Sequence, residues 1–180
     1  MSSYPRHDMQ NILKMKLITN PAIGRWLWLS VLVVGLDQMT KWLAVGMLDS
    51  YRPLPLVPLL NLTLMYNEGA AFSFLADAGG WQRWFFACFA LMMSAVLVIW
   101  LLRLGPGERL MAAALSLVVG GAVGNLVDRV LTGRVVDFID FYVGNWHWPA
   151  FNVADSAITL GVGLLLLGNL REGWGARATE

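Results

Sequence analysis

Four stretches of this chain, at about residues 25–47, 83–104, 109–130 and 152–170, are each apolar over about 20 residues, the length a helix needs to cross a bilayer. Four such stretches leave little room for a soluble core. The composition agrees: 57% of the 180 residues are hydrophobic and 14% are charged, against about a quarter charged in a soluble domain. The expected fold is an all-α membrane protein of one domain. It has a tail at 1–24, a four-helix transmembrane domain over 25–171 and a second tail at 172–180. The first apolar stretch is too long for the core of a cleaved signal peptide. It ends in TKWLAVGM with no A-x-A site, so it reads as a retained anchor.

Lysine and arginine placement sets the orientation. Arg6, Lys14, Lys16, Arg25, Arg103, Arg109, Arg171 and Arg177 fall on one side. Arg52, Arg83 and Arg134, with Lys41 and Arg129 near that surface, fall on the other. The imbalance predicts both termini in the cytoplasm and two long extracytoplasmic loops, at about 48–82 and 131–151. The first loop has prolines at 53, 55 and 58, then NLTLMYNEGAAFSFL, whose alternation predicts a short hairpin and hence a small β-containing region. The second, GRVVDFIDFYVGNWHWPAF, is rich in aromatics. Trp81, Trp84, Trp146 and Trp148 read as interfacial anchors.

Polar groups inside or beside lipid are costly, which makes them functional candidates. The third helix runs outward and delivers Asp128 and Arg129 to its outer end, with Asp137 just beyond. The fourth runs inward from the same surface, with Asn152 and Asp155 in its first turn. Asp37 and Lys41 lie in the outer half of the first helix, and Asn67 and Glu68 in the outer loop. These groups therefore converge on one plane. Two carboxylates within reach of one another share a proton. One then accepts a proton from water while the other polarises a carbonyl, with no metal or other cofactor required. The rival reading is a small proton-coupled carrier or channel subunit using the same acids as a relay. A relay needs acids through the membrane depth, however, and internal repeats of the transporter kind are not evident.

Other chemistry has less support. A single cysteine, Cys88 in WFFACFALMM, excludes an internal disulfide and reads as a buried apolar residue. His7 and His147 are the only histidines and form no zinc motif. A net charge of +1 gives no argument for nucleic acid. Ser94 and Ser116 have no base at an obvious spacing, and Ser73 has only Lys41. Plainer roles compete at several positions. Asp37 and Lys41, four apart, can neutralise one another on a helix face. Asp128 can pair with Arg129, and Asn125 and Asn152 can act as glue between helices. Asp140 reads as a solvated loop residue. Gly120, Gly121 and Gly124 suit close helix packing.

The segments GLDQMTK (35–41), YNEGAAFSF (66–74), GGAVGNLVDR (120–129), GRVVDFID (133–140) and FNVADSAI (151–158) resemble, in order and spacing, the signature blocks of the lipoprotein signal peptidase (signal peptidase II) family. The resemblance spans about 25–171. It implies an intramembrane aspartyl endopeptidase in which Asp137 and Asp155 form the catalytic dyad. Asn67, Asn125, Asp128, Arg129 and Asn152 would line the site, and Asp37 and Lys41 form the first-helix motif. Read separately, the small residues Gly69, Ala70 and Ala71 let the loop from Asn67 to Phe74 approach an extended substrate and cover the site as a lid. The resemblance also implies the substrate, a diacylglyceryl-modified prolipoprotein cleaved before its lipidated cysteine, and a place in the bacterial inner membrane with the site near the extracytoplasmic face. The expected partners are that precursor and membrane lipid, and the expected state is a monomer.

Overall fold

The computed structural model describes residues 24–69 and 80–177. Its elements run in the order α1 (Leu27–Met47), β1 (Leu54–Val57), β2 (Leu60–Asn67), α2 (Trp81–Leu102), α3 (Arg109–Leu131), β3 (Val135–Val143), β4 (Trp146–His147) and α4 (Val153–Arg177). Helices α1, α2 and α3 are long and apolar enough to cross a membrane. The apolar part of α4, Val153–Gly168, is shorter, although the helix itself continues to Arg177.

The helices are built inside out relative to a soluble bundle. On α1 the buried positions are Ser30, Val33, Asp37, Lys41 and Ala44, a single helical face, while Trp28, Leu32, Met39 and Trp42 point outward. Exposed apolar surface carries no penalty in lipid, so the face that must be sheltered is the polar one. Cys88 follows the same rule. It is exposed on the outer face of α2, which corrects the expectation of a buried residue.

Helix α3 is the centre of the bundle and touches α1, α2 and α4. Small residues make this possible. A Cβ at Gly120 would stand 2.7 Å from the Val33 Cβ, one at Gly121 2.3 Å from the Ala154 carbonyl oxygen, and one at Gly124 2.7 Å from Asp37 Oδ2. The glycine stripe thus brings α1 and α4 against α3 at backbone distance. Near the α2–α3 turn, Leu101, Leu104, Ala112 and Leu115 form an apolar core. At the opposite end the interior is polar.

That polar end is covered by a four-stranded antiparallel sheet in the order β1-β2-β3-β4. The first outer loop holds a hairpin, but its arms are the proline-rich β1 and the NLTLMYN strand β2, which pairs with β3 along its other edge. The rest of the alternating stretch, from residue 70, lies outside the described residues. Pro55 is tolerated because β1 is an edge strand. VVDFID is likewise a strand rather than loop. Asp140 within it is 5% exposed, and it accepts hydrogen bonds from Asn61 Nδ2 (3.1 Å) and Thr63 Oγ1 (3.2 Å), with His147 Nδ1 at 2.7 Å. Burial pushes its carboxyl up, but the hydrogen bonds from His147, Asn61 and Thr63 outweigh this and hold it below the usual range. The solvated Asp140 of the sequence reading is thus a buried tie between β2, β3 and β4.

Candidate active site

The last two turns of α3, the end of β2, the start of β3 and the first turn of α4 meet around a cavity of about 950 Å³. Asn67, Asn125, Arg129, Asp137 and Asp155 line its polar wall, and Trp148, Phe151, Ile158 and Leu160 its apolar one.

Asp155 is placed by the start of its own helix. Asn152 is the N-cap of α4. Its Oδ1 accepts the Asp155 amide at 2.9 Å, and Asp155 Oδ2 accepts the Asn152 amide at 3.2 Å. This reciprocal capping satisfies two amides that a helix N-terminus leaves without partners. A third, on Ala154, donates to Asp37 Oδ1 at 2.9 Å. With its oxygen committed to the helix, Asn152 turns its amide nitrogen outward, and Nδ2 donates to Asp137 Oδ1 at 2.7 Å. Asn67 does the same from β2. Its oxygen accepts the Gly69 amide at 3.0 Å, and its Nδ2 donates to Asp137 Oδ2 at 3.3 Å.

A buried lysine fixes the other amide. Lys41 Nζ is 2.8 Å from Asp37 Oδ2, 2.8 Å from Asp128 Oδ2 and 2.9 Å from Asn125 Oδ1, which occupies all three of its donors. Because a lysine only donates, the Asn125 oxygen must face it. Asn125 Nδ2 is thereby left to donate to Asp155 Oδ1 at 2.8 Å. Gln38 Nε2 closes the network with bonds to Asp128 Oδ1 (2.8 Å) and the Gly124 carbonyl (3.1 Å). The Val136 amide donates to Asp128 Oδ2 at 3.1 Å, which ties β3 to α3 one residue before Asp137.

Among the described residues no hydrogen bond joins Asp137 directly to Asp155. They are connected through Asn152 and Asn125, whose side chains meet at 3.2 Å. Burial, and then the Asp155 charge, pushes Asp137 up to about 7, against the opposing amides of Asn67 and Asn152 and the Lys41 charge. Two carboxylates facing one cavity, with one carboxyl held near neutrality, can take and return a proton at physiological pH.

The structure thus brings together Asp37, Lys41, Asn67, Asn125, Asp128, Arg129, Asp137, Asn152 and Asp155. Gly69 is at the edge, where its carbonyl accepts from Arg129 Nη2 at 3.0 Å. Ala70, and the rest of the segment expected to cover the site, lie outside the described residues. The Asp37–Lys41 pair is more than local neutralisation, since it reaches α3 and α4. Asp128 pairs with Lys41 rather than with its neighbour Arg129. Sequence reasoning assigned no role to Gln38; its position in GLDQMTK, between two buried charges of an apolar helix, was the available signal.

The family model described as "Signal peptidase (SPase) II" matches residues 29–171. A lipoprotein signal peptidase from Polynucleobacter necessarius is 49% identical over 154 residues, covering 86% of this chain and 94% of its own. One from Acinetobacter baumannii is 56% identical over 142 residues, covering 79% and 81%. A bacterial membrane enzyme solved by the in meso method at 2.3 Å resolution superposes with a TM-score of 0.75 at 35% identity, over 83% of this chain and 90% of that one. With a family match over most of its length and relatives at about half identity, this chain belongs to the signal peptidase II family of peptidases.

Proposed function

We infer that this membrane peptidase removes the signal peptide from bacterial prolipoproteins, and that Asp137 and Asp155 are its catalytic pair. One observation carries the assignment of the pair. The two carboxylates face the same cavity, each is aimed by an asparagine, and burial together with the Asp155 charge holds Asp137 near neutrality. With one proton shared between them, the ionised partner takes a proton from a water, whose oxygen attacks the scissile carbonyl. The protonated partner donates to the carbonyl oxygen, giving a neutral tetrahedral diol. Collapse of the diol returns one proton to a carboxylate, protonates the leaving nitrogen and breaks the C–N bond. The apparent pKa values of this cycle belong to the pair.

The cleaved bond precedes a diacylglyceryl-modified cysteine in this reading. The apolar wall of Trp148, Phe151, Ile158 and Leu160 suits a substrate that arrives from lipid, and Asn67, Arg129 and Gly69 lie where an extended peptide would pass. All four helices cross the inner membrane, both termini are cytoplasmic, and the site faces the extracytoplasmic side. The excess of lysine and arginine on the terminal side supports this orientation. The protein acts as a monomer in this reading, and membrane lipid meets the apolar outer faces of α1 and α2. A transmembrane proton relay fits less well, because the buried acids gather at one end of the bundle. The deciding experiment incubates purified protein with a lipid-modified precursor and follows cleavage by gel shift. Cleavage by the parent and none by Asp137→Asn is expected, and equal cleavage by both would remove the assignment.

A further inference from the structure

Arg83 stands in the first turn of α2, is not part of the cavity wall, and has no role in the steps above. Its guanidinium is nevertheless committed to backbone. Nε donates to the Arg129 carbonyl and Nη2 to the Val130 carbonyl, both at 2.7 Å. Both are among the last four carbonyls of α3; the Arg129 carbonyl also accepts the Gly133 amide at 3.2 Å, and the positive charge sits at the negative end of that helix. Among the described residues Arg83 forms no salt bridge.

The same guanidinium abuts the turn that follows. Gly133 has φ +85°, and a Cβ there would come within 3.3 Å of Arg83 Cδ and Nη1. This glycine therefore answers two demands, the left-handed backbone and the close approach of the arginine. From Gly133 the chain enters β3, where the Val136 amide is held by Asp128 and Asp137 comes next. The end of α3 is thus gripped on both sides. Asp128 and the Arg129 side chain hold it from within the site, and Arg83 holds it from outside.

We propose that Arg83 is a positioning residue for the aspartate site, fixing the turn that carries the chain from Arg129 to Asp137 and so the placement of Asp137 relative to Asp155. The proposal rests on the assignment of those two aspartates as the reacting pair. A planar guanidinium can engage two successive carbonyls with two of its N–H groups at once. A lysine offers a point charge on a flexible stem and cannot reproduce that grip.

The test measures kcat, KM and melting temperature for Arg83→Ala and Arg83→Lys on a lipid-modified precursor, with Asp137→Asn alongside. Misplacement of a reacting group by about 1 Å lowers turnover by about 100-fold, so Arg83→Ala should lose about 10- to 100-fold in kcat. KM should change by less than about threefold, because the substrate-facing wall is intact. Added ethylguanidinium should restore part of the Arg83→Ala turnover, and Arg83→Lys should be impaired in kcat. Parent-like kcat in Arg83→Ala would overturn the proposal. So would a loss that ethylguanidinium does not relieve and that tracks a fall in melting temperature. Should Arg83→Ala fail to insert, Arg83→Lys decides: reduced kcat at unchanged KM supports the role, and parent kinetics overturn it. Activity in Asp137→Asn would instead remove the dyad reading, whatever the Arg83 variants do.

Discussion

Asn152 caps the helix that carries Asp155, yet its amide nitrogen donates to Asp137 on β3 at 2.7 Å. One side chain therefore sets the start of α4 and the aim of the opposite carboxylate. The oxygen is committed to the Asp155 amide, so the nitrogen has no alternative orientation.

Exchange of either carboxylate for an amide should end catalysis without unfolding the protein. Asp137→Asn and Asp155→Asn are each expected to lower cleavage to below about a tenth of the parent, with the double variant little worse, because members of one catalytic unit are not additive. Gel-shift assays on folded, inserted protein check this. A single variant retaining substantial activity refutes the pair.

The raised Asp137 carboxyl has a signature in stability. A carboxyl whose folded value, about 7, lies above its unfolded 3.8 contributes stability that is full below 3.8 and is lost as pH rises through about 7. The parent should therefore lose melting temperature over that window, and Asp137→Asn should flatten the loss. Turnover should fall on the alkaline side as the pair gives up its shared proton near pH 7. Melting curves of parent and variant that run parallel across the window would contradict the shift.

Lys41 is expected to be essential for folding. Its removal leaves Asp37 and Asp128, both buried, without their cation, and breaking one partner of such a network costs about 3–5 kcal/mol. Lys41→Met should show a large drop in melting temperature in detergent. Asp128→Ala should lose both stability and activity, because it frees Lys41, Gln38 and the Val136 amide together. A Lys41→Met protein as stable as the parent would show that the network contributes little.

Close approach of α3 to α4 predicts that Gly121→Ala is poorly tolerated. The added methyl would meet the Ala154 carbonyl at 2.3 Å, and backbone cannot yield as a side-chain tip does. Forced repacking costs about 1–3 kcal/mol. The displacement of Ala154 also disturbs its neighbour Asp155, so turnover should fall with stability. Gly163→Ala, with nothing within 4 Å, is the control and should match the parent in both.

Topology is tested in a Cys88→Ala background. Cysteine at Gly144, in the β3–β4 turn, should react with an impermeant thiol reagent added to spheroplasts. Cysteine at Gly107, between α2 and α3, should not. The reverse pattern would place the site on the cytoplasmic side.

Much of the site was legible in the sequence, because an ionisable residue in or beside a twenty-residue apolar run has few harmless explanations. That physics alone singled out Asp37, Lys41, Asp128 and Asp155, and helix direction alone brought them to one surface. The glycines at 120, 121 and 124 announced close packing by the same local logic. Only the tertiary structure decided the rest. That VVDFID is a strand beside NLTLMYN depends on pairing residues more than sixty positions apart, which no local alternation specifies. The buried state of Asp140 follows from that pairing, since its partners Asn61 and Thr63 come from β2. Cys88 faces outward because lipid accepts apolar surface and removes the usual link between apolar character and burial. Which amide nitrogen aims at which carboxylate also lay beyond the sequence. An asparagine's two ends are chosen by their surroundings, here by Lys41 on one side and by the start of α4 on the other.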